Sequence, residues 1–143
     1  NTANRQRDNI MPKKPSRKNL VKKLDTVFSE YIRRKYADEN GIVKCYTCDK
    51  KAFWKGEGMQ NGHFISRKSR ILRWREDNCR PQCYTCKCHF YGRQYIFSVN
   101  LNKEYGYDIS NDLLIESKKI IKQSDLDLKE MIEYYNKLLT NLK

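Results

Sequence analysis

Three features of the 143-residue sequence predict an α+β domain. Apolar residues recur at helical spacing near both ends, and short β-prone runs occupy the middle. Two copies of Cys-Tyr-Thr-Cys frame those runs, at Cys45–Cys48 and Cys83–Cys86. The length corresponds to a single domain, which spans roughly 100–200 residues. With 33% charged residues, the apolar core is small for the length, and such a chain gains from a staple.

Residues 1–15 carry two prolines and alternating charges and are predicted to form a disordered basic arm. Residues 16–143 form the single folded unit. Ser16 suits the N-cap of a helix running to about Tyr36, with Leu20, Leu24, Val27, Phe28, Tyr31 and Ile32 on one face and Asn40-Gly41 as the stop. Ile42–Tyr46 reads as a strand entering the first Cys pair, Lys55–Gly58 as a turn, and Gln60–Ser66 as a second strand. A helix follows the second pair, with Tyr91, Tyr95, Ile96 and Val99 on one side and Gly106 beyond its end. This places the stapled core at about 42–105 and the C-terminal helices at about 108–143. In the last of them, capped by Ser124, the residues Leu128, Met131, Ile132, Tyr135, Leu138 and Leu142 form an apolar stripe. The stripe suits a core face or, alternatively, a homodimer interface.

The two Cys pairs lie 34 residues apart. Two C-x-x-C knuckles supply the four thiolates of a closed, tetrahedral structural zinc site: Cys45, Cys48, Cys83 and Cys86. Cys79 and Cys88 have no such partner and are expected to be free thiols. The start lacks a secretory apolar stretch and no run is long enough to span a bilayer, so a cytoplasmic protein is expected, in which paired cysteines bind metal.

The net charge of +13 is uneven. Residues 1–40 and 41–98 carry +6 and +8, whereas residues 99–143 carry −1. Such a basic surface around the cysteines is expected to meet a polyanion such as DNA or RNA. Arg67, Lys68, Arg70, Arg73 and Arg75 are the expected contact set. The only histidines are His63 and His89, and Asn78 lies between them. A neutral imidazole is a suitable base for activating water in phosphodiester hydrolysis.

From Leu24 to Gly106 the sequence resembles the NinG (Rap) recombination proteins of lambdoid phages. The matching segments are LDTVFSEYIRRKYADENGIVKCYTC, NGHFISR, LRWREDN, QCYTC and YIFSVNLNKEYG. The resemblance implies a ββα-metal (HNH) core, activity as an endonuclease on branched DNA such as Holliday junctions and D-loops, and a phage-encoded protein working in the bacterial cytoplasm. It assigns the four knuckle cysteines to zinc, His63 as general base, and Asn78 as the residue that braces the loop and orients the His63 ring. It also implies one catalytic Mg²⁺ or Mn²⁺.

Two positions depart from the HNH pattern. Gly62 precedes the base where many HNH enzymes have Asp. Lys87 follows the second knuckle, where a metal-binding Asn or His is usual. An ammonium has no lone pair for a hard cation. Three explanations remain open: His89 takes over coordination, with Asp77 or Glu76; Lys87 contacts the phosphate directly; or the change inactivates the site. A sequence-specific HNH nuclease and a zinc-stapled DNA-binding protein without cleavage are the rival functions. Resolution of a junction would take two sites, hence a homodimer pairing through Leu128, Met131, Tyr135, Leu138 and Leu142.

Overall fold

The computed structural model describes residues 13–142. The predicted basic arm therefore lies mostly outside the described residues. Helix α1 (Arg17–Lys35) begins where Ser16 accepts a hydrogen bond from the Asn19 amide at 3.2 Å. It ends at Tyr36, and Gly41 turns the chain with φ +78°. Strands β1 (Ile42–Lys44) and β2 (Lys51–Phe53) pair antiparallel around the first knuckle. Strands β3 (Met59–His63) and β4 (Cys79–Cys83) form a second antiparallel hairpin, with His63 opposite Cys79 and Met59 opposite Cys83. A 3₁₀ turn at Glu76–Asn78 leads into β4, and a π turn at Thr85–His89 follows it. Three helices complete the chain: α2 (Gln94–Tyr105), α3 (Ile109–Glu116) and α4 (Asp125–Asn141).

Three apolar clusters hold these elements. Helix α4 lies along α1, with Leu128, Ile132, Tyr135 and Leu139 buried among Leu20, Leu24, Phe28 and Tyr31. Tyr135 packs 4.8 Å from the Phe28 ring and donates its hydroxyl to the Trp74 carbonyl at 2.5 Å. The expected dimer stripe is thus core: Leu128 and Tyr135 are buried, and Met131, Leu138 and Leu142 pack against the same cluster. A lone amphipathic helix cannot distinguish a partner within the chain from one outside it. Here α1 supplies the partner.

A small cluster of Val43, Met59 and the knuckle cysteines joins the two hairpins, and a third joins Leu72 to Phe97, Leu101, Ile109 and Leu113. The buried face of α2 is therefore Phe97 and Leu101. The face anticipated from Tyr91, Tyr95, Ile96 and Val99 is exposed. Apolar residues surround this helix on several sides, so periodicity does not select one face.

Arg80 in the centre of β4 is 1% exposed. Its guanidinium donates to the Glu76 and Cys79 carbonyls, the Tyr105 hydroxyl and Glu104, and lies over the rings of Tyr36, Tyr46 and Tyr105. These contacts dock β4 onto α2. One of the basic residues counted toward a nucleic-acid surface is therefore an internal strut. A guanidinium is suited to that role because its planar fork satisfies several acceptors at once.

Candidate functional site

The four knuckle cysteines come together. Their sulfurs all lie within 4.8 Å of one another, and Cys48 and Cys83 are 3.7 Å apart. Zinc–sulfur bonds of about 2.3 Å in a tetrahedron require sulfurs roughly 3.8 Å apart, so the set is close to that size. Each sulfur also receives an N–H: Cys45 from the Cys83 amide, Cys48 from the Lys50 amide, Cys83 from the Cys86 amide and Cys86 from Arg93 Nε. N–H donors of this kind steady thiolate charge, as second-shell partners of metal sites do. The donor set fits a closed structural zinc, which would cross-link β1–β2 to β3–β4. Arg93 adopts a left-handed φ of +45° beside Gly92 at +83°. Its bond to Cys86 offsets part of that strain.

Cys79 is buried outside the set, and burial pushes its thiol well above the usual range. Cys88 is exposed. Among the described residues, neither joins a group that could hold a metal.

His63 closes β3, and its Nε2–H donates to the Arg73 carbonyl at 2.9 Å. A carbonyl only accepts, so this bond fixes the tautomer and leaves the Nδ1 lone pair available. Burial lowers the imidazole to about 4; the Arg73 carbonyl opposes that shift and the Lys87 charge adds to it. The ring is neutral at physiological pH. Gly62 beside it is required by packing, because a Cβ there would meet the Gln82 side chain at 2.1 Å. Gln82 is itself fixed by donating to Thr47 Oγ1 and the Gly92 carbonyl, both at 2.9 Å. An Asp at position 62 has no room.

Asn78 is fully buried. It accepts from the Ile65 amide at 2.8 Å and donates to the Ile65 and Leu72 carbonyls at 3.0 and 3.2 Å. It braces the 65–72 loop and reaches the His63 ring only through the neighbouring Arg73 carbonyl.

Asp25 on α1, which the sequence reading overlooked, holds that same segment. Its carboxylate takes Arg73 Nε and Nη2 at 3.0 and 2.6 Å and Trp74 Nε1 at 2.9 Å. The pair is partly buried, and burial opposes ionisation while the Arg73 and Trp74 hydrogen bonds favour it, leaving the carboxyl below its ordinary range. The only hint in the sequence is an acid next to the apolar face of a basic helix. Asp25→Asn loses the ion pair and loosens the carbonyl that aims His63. Under the nuclease reading proposed below, the expected result is a fall in kcat of about tenfold or more with KM nearly unchanged, consistent with losing alignment that acts in the transition state. Single-turnover cleavage set beside junction affinity checks it.

Two clefts meet at this point. One, of about 310 Å³, is lined by Asp25, Arg33, Asn61, His63, Arg67 and Lys87 among others. The second, of about 230 Å³, shares His63, Arg67 and Lys87 and adds Gln82 and Tyr91. Burial and then the Arg67 charge lower the Lys87 ammonium. Of the expected DNA contacts, Arg67, Lys68 and Arg70 are exposed, whereas Arg73 is paired with Asp25 and Arg75 with Asp77 and Glu116.

His89 and Asp77, the expected alternative metal ligands, lie elsewhere. The π turn directs Lys87 into the clefts, while His89 is exposed and packs edge-on to Tyr84 at 5.4 Å. Asp77 is held by Arg75, and Glu76 pairs with Lys35 at 2.6 Å. Among the described residues, the only carboxylate lining either cleft is Asp25, already bound to Arg73 and Trp74. The buried unpartnered oxygens of the lining residues are the neutral amide oxygens Asn61 Oδ1 and Gln82 Oε1. With no free carboxylate beside the Arg67 and Lys87 charges, the donors around His63 do not fit a catalytic Mg²⁺ or Mn²⁺, a hard cation usually held by one or two carboxylates.

No helix among the described residues is long and apolar enough to cross a membrane. No curated protein and no solved structure matches the chain. The family model described as the bacteriophage lambda NinG protein matches residues 1–143. A match along the whole length, over knuckles and a histidine hairpin arranged as above, places the chain in the NinG family.

Proposed function

We propose that this NinG-family protein is a structure-selective DNA endonuclease of the HNH type, cutting branched recombination intermediates such as Holliday junctions and D-loops in the phage-infected cell. One observation carries the reading: His63, neutral and fixed with Nε2–H on the Arg73 carbonyl, sits in a cleft with Arg33, Arg67 and Lys87. A base beside clustered cations is what phosphodiester hydrolysis needs. The order of β3, β4 and the Thr85–His89 turn, a hairpin followed by a helical turn, agrees with a ββα core.

In this mechanism His63 Nδ1 takes a proton from water. The resulting hydroxide attacks phosphorus, and the bond from phosphorus to the leaving oxygen breaks. That oxygen takes a proton from solvent water while His63 returns its proton to solvent. Arg67 and Lys87 steady the charge that builds on the phosphate oxygens. Symmetric resolution of a junction takes two such sites, so it includes a homodimer whose interface lies away from the α1–α4 seam.

The pH dependence of kcat/KM on a labelled four-way junction tests the role of His63. A general base works in its neutral form, and the free protein's imidazole titrates at about 4. Activity is expected to hold level from neutral pH down through the ordinary histidine range and to fall only on approaching the lowered value. An acid limb near the unperturbed value of about 6.5 would argue against this base. The second reading, DNA binding without cleavage, is favoured by Lys87 in the clefts, and it is the outcome if no pH yields product.

A further inference from the structure

We propose that the His63 clefts receive a DNA backbone phosphate directly on the Lys87 ammonium and the Arg67 guanidinium, with no divalent cation between protein and phosphate. The inference relies on the nuclease reading only to name the source of the phosphate.

The charge and the donors agree. Arg33, Arg67 and Lys87 line the clefts, and Asp25 is the one acid among the lining residues. Its oxygens are occupied by the two Arg73 nitrogens and Trp74 Nε1. None of the ion pairs formed by the described residues includes Arg33, Arg67 or Lys87. A phosphate meets Arg67 and Lys87 there without an acidic partner, whereas a divalent cation meets repulsion and no free carboxylate.

Lys87 is also held in place. It lies on the single π turn between Cys86, whose sulfur is in the tetrathiolate set, and the exposed Cys88. Its neighbour on one side is therefore anchored by the staple, and the ammonium is partly buried beside His63 and Arg67. An ammonium is a compact point charge with three donors, suited to a phosphate oxygen. Asn61, lining the larger cleft, has a buried Oδ1 without a hydrogen-bond partner.

Two measurements on the zinc-loaded full chain test the proposal, and neither depends on cleavage. The first is electron paramagnetic resonance of Mn²⁺ titrated into the protein alone. No stoichiometric Mn²⁺ site is expected, and one that disappears in His63→Ala would overturn the proposal. The second is the salt dependence of four-way-junction affinity. Lys87→Met, similar in length but neutral, is expected to reduce the slope of log affinity against log salt by about one, as for the loss of one phosphate contact. Lys87→Arg keeps the charge and is expected to keep the slope. An unchanged slope in Lys87→Met, or an equal loss in Lys87→Arg, would show that the phosphate does not sit on this cation. Zinc content equal to wild type establishes that each variant is folded at the turn. If the protein never cuts DNA, the nuclease reading fails while both of these results stand.

Discussion

Cys83→Ser is expected to lose stoichiometric zinc and the cooperative folding of the central hairpins. Cys83 is buried and within 3.7 Å of Cys48, and it receives the Cys86 amide. The apolar cluster around it contains only Val43, Cys45, Met59, Cys83 and Cys86 as fully buried members. So small a cluster cannot hold two two-stranded sheets together by burial alone. Structural zinc contributes on the order of 10–16 kcal/mol of apparent binding energy, against a total stability of about 5–15 kcal/mol for a typical domain. A serine hydroxyl is a poor replacement for a thiolate, so most of that coupling is lost. The α1–α4 pair has its own core and retains part of the helical signal. Elemental analysis and thermal melting check this. One zinc per chain still present in Cys83→Ser would contradict it, as would zinc loss in Cys79→Ser or Cys88→Ser.

His63→Ala is expected to slow junction cleavage by about 10²–10⁴-fold, the usual contribution of a positioned general base. Junction affinity is expected to change little, because the neutral imidazole adds no charge for the backbone phosphates. The fold is expected to survive: the ring is partly buried, and its one hydrogen bond goes to a loop carbonyl beside a segment that Asp25 and Asn78 hold independently. Zinc content and melting temperature identify a folding defect if one occurs. Cleavage by His63→Ala at close to the wild-type rate would remove His63 from the chemistry.

Local signals in the sequence located what local chemistry determines. Ser16 starts α1, and Gly41 turns the chain after its end at Tyr36, because capping and left-handed turns depend on a few adjacent residues. The knuckles were legible because C-x-x-C spacing is a ligand geometry in itself. Contacts distant in sequence were not legible. Asp25 meets Arg73 across 48 positions, and no spacing rule links them. Arg80 counted as surface charge until three tyrosines and the Glu76 carbonyl enclosed it. Direction around a turn was equally hidden: Lys87 and His89 are two positions apart, yet one lines the clefts and the other faces solvent. The expectation that His89 and Asp77 replace the missing ligand rested on proximity in sequence. A π turn and an Arg75 fork direct them elsewhere.

The most direct test of the central claim is single-turnover incubation of zinc-loaded protein with a strand-labelled four-way junction and its matched linear duplex. The expected result is cuts near the branch point, with the duplex left intact over the same interval. A junction that is bound tightly but stays whole in Mg²⁺, in Mn²⁺ and without added metal would contradict the nuclease account, leaving a zinc-stapled DNA-binding protein.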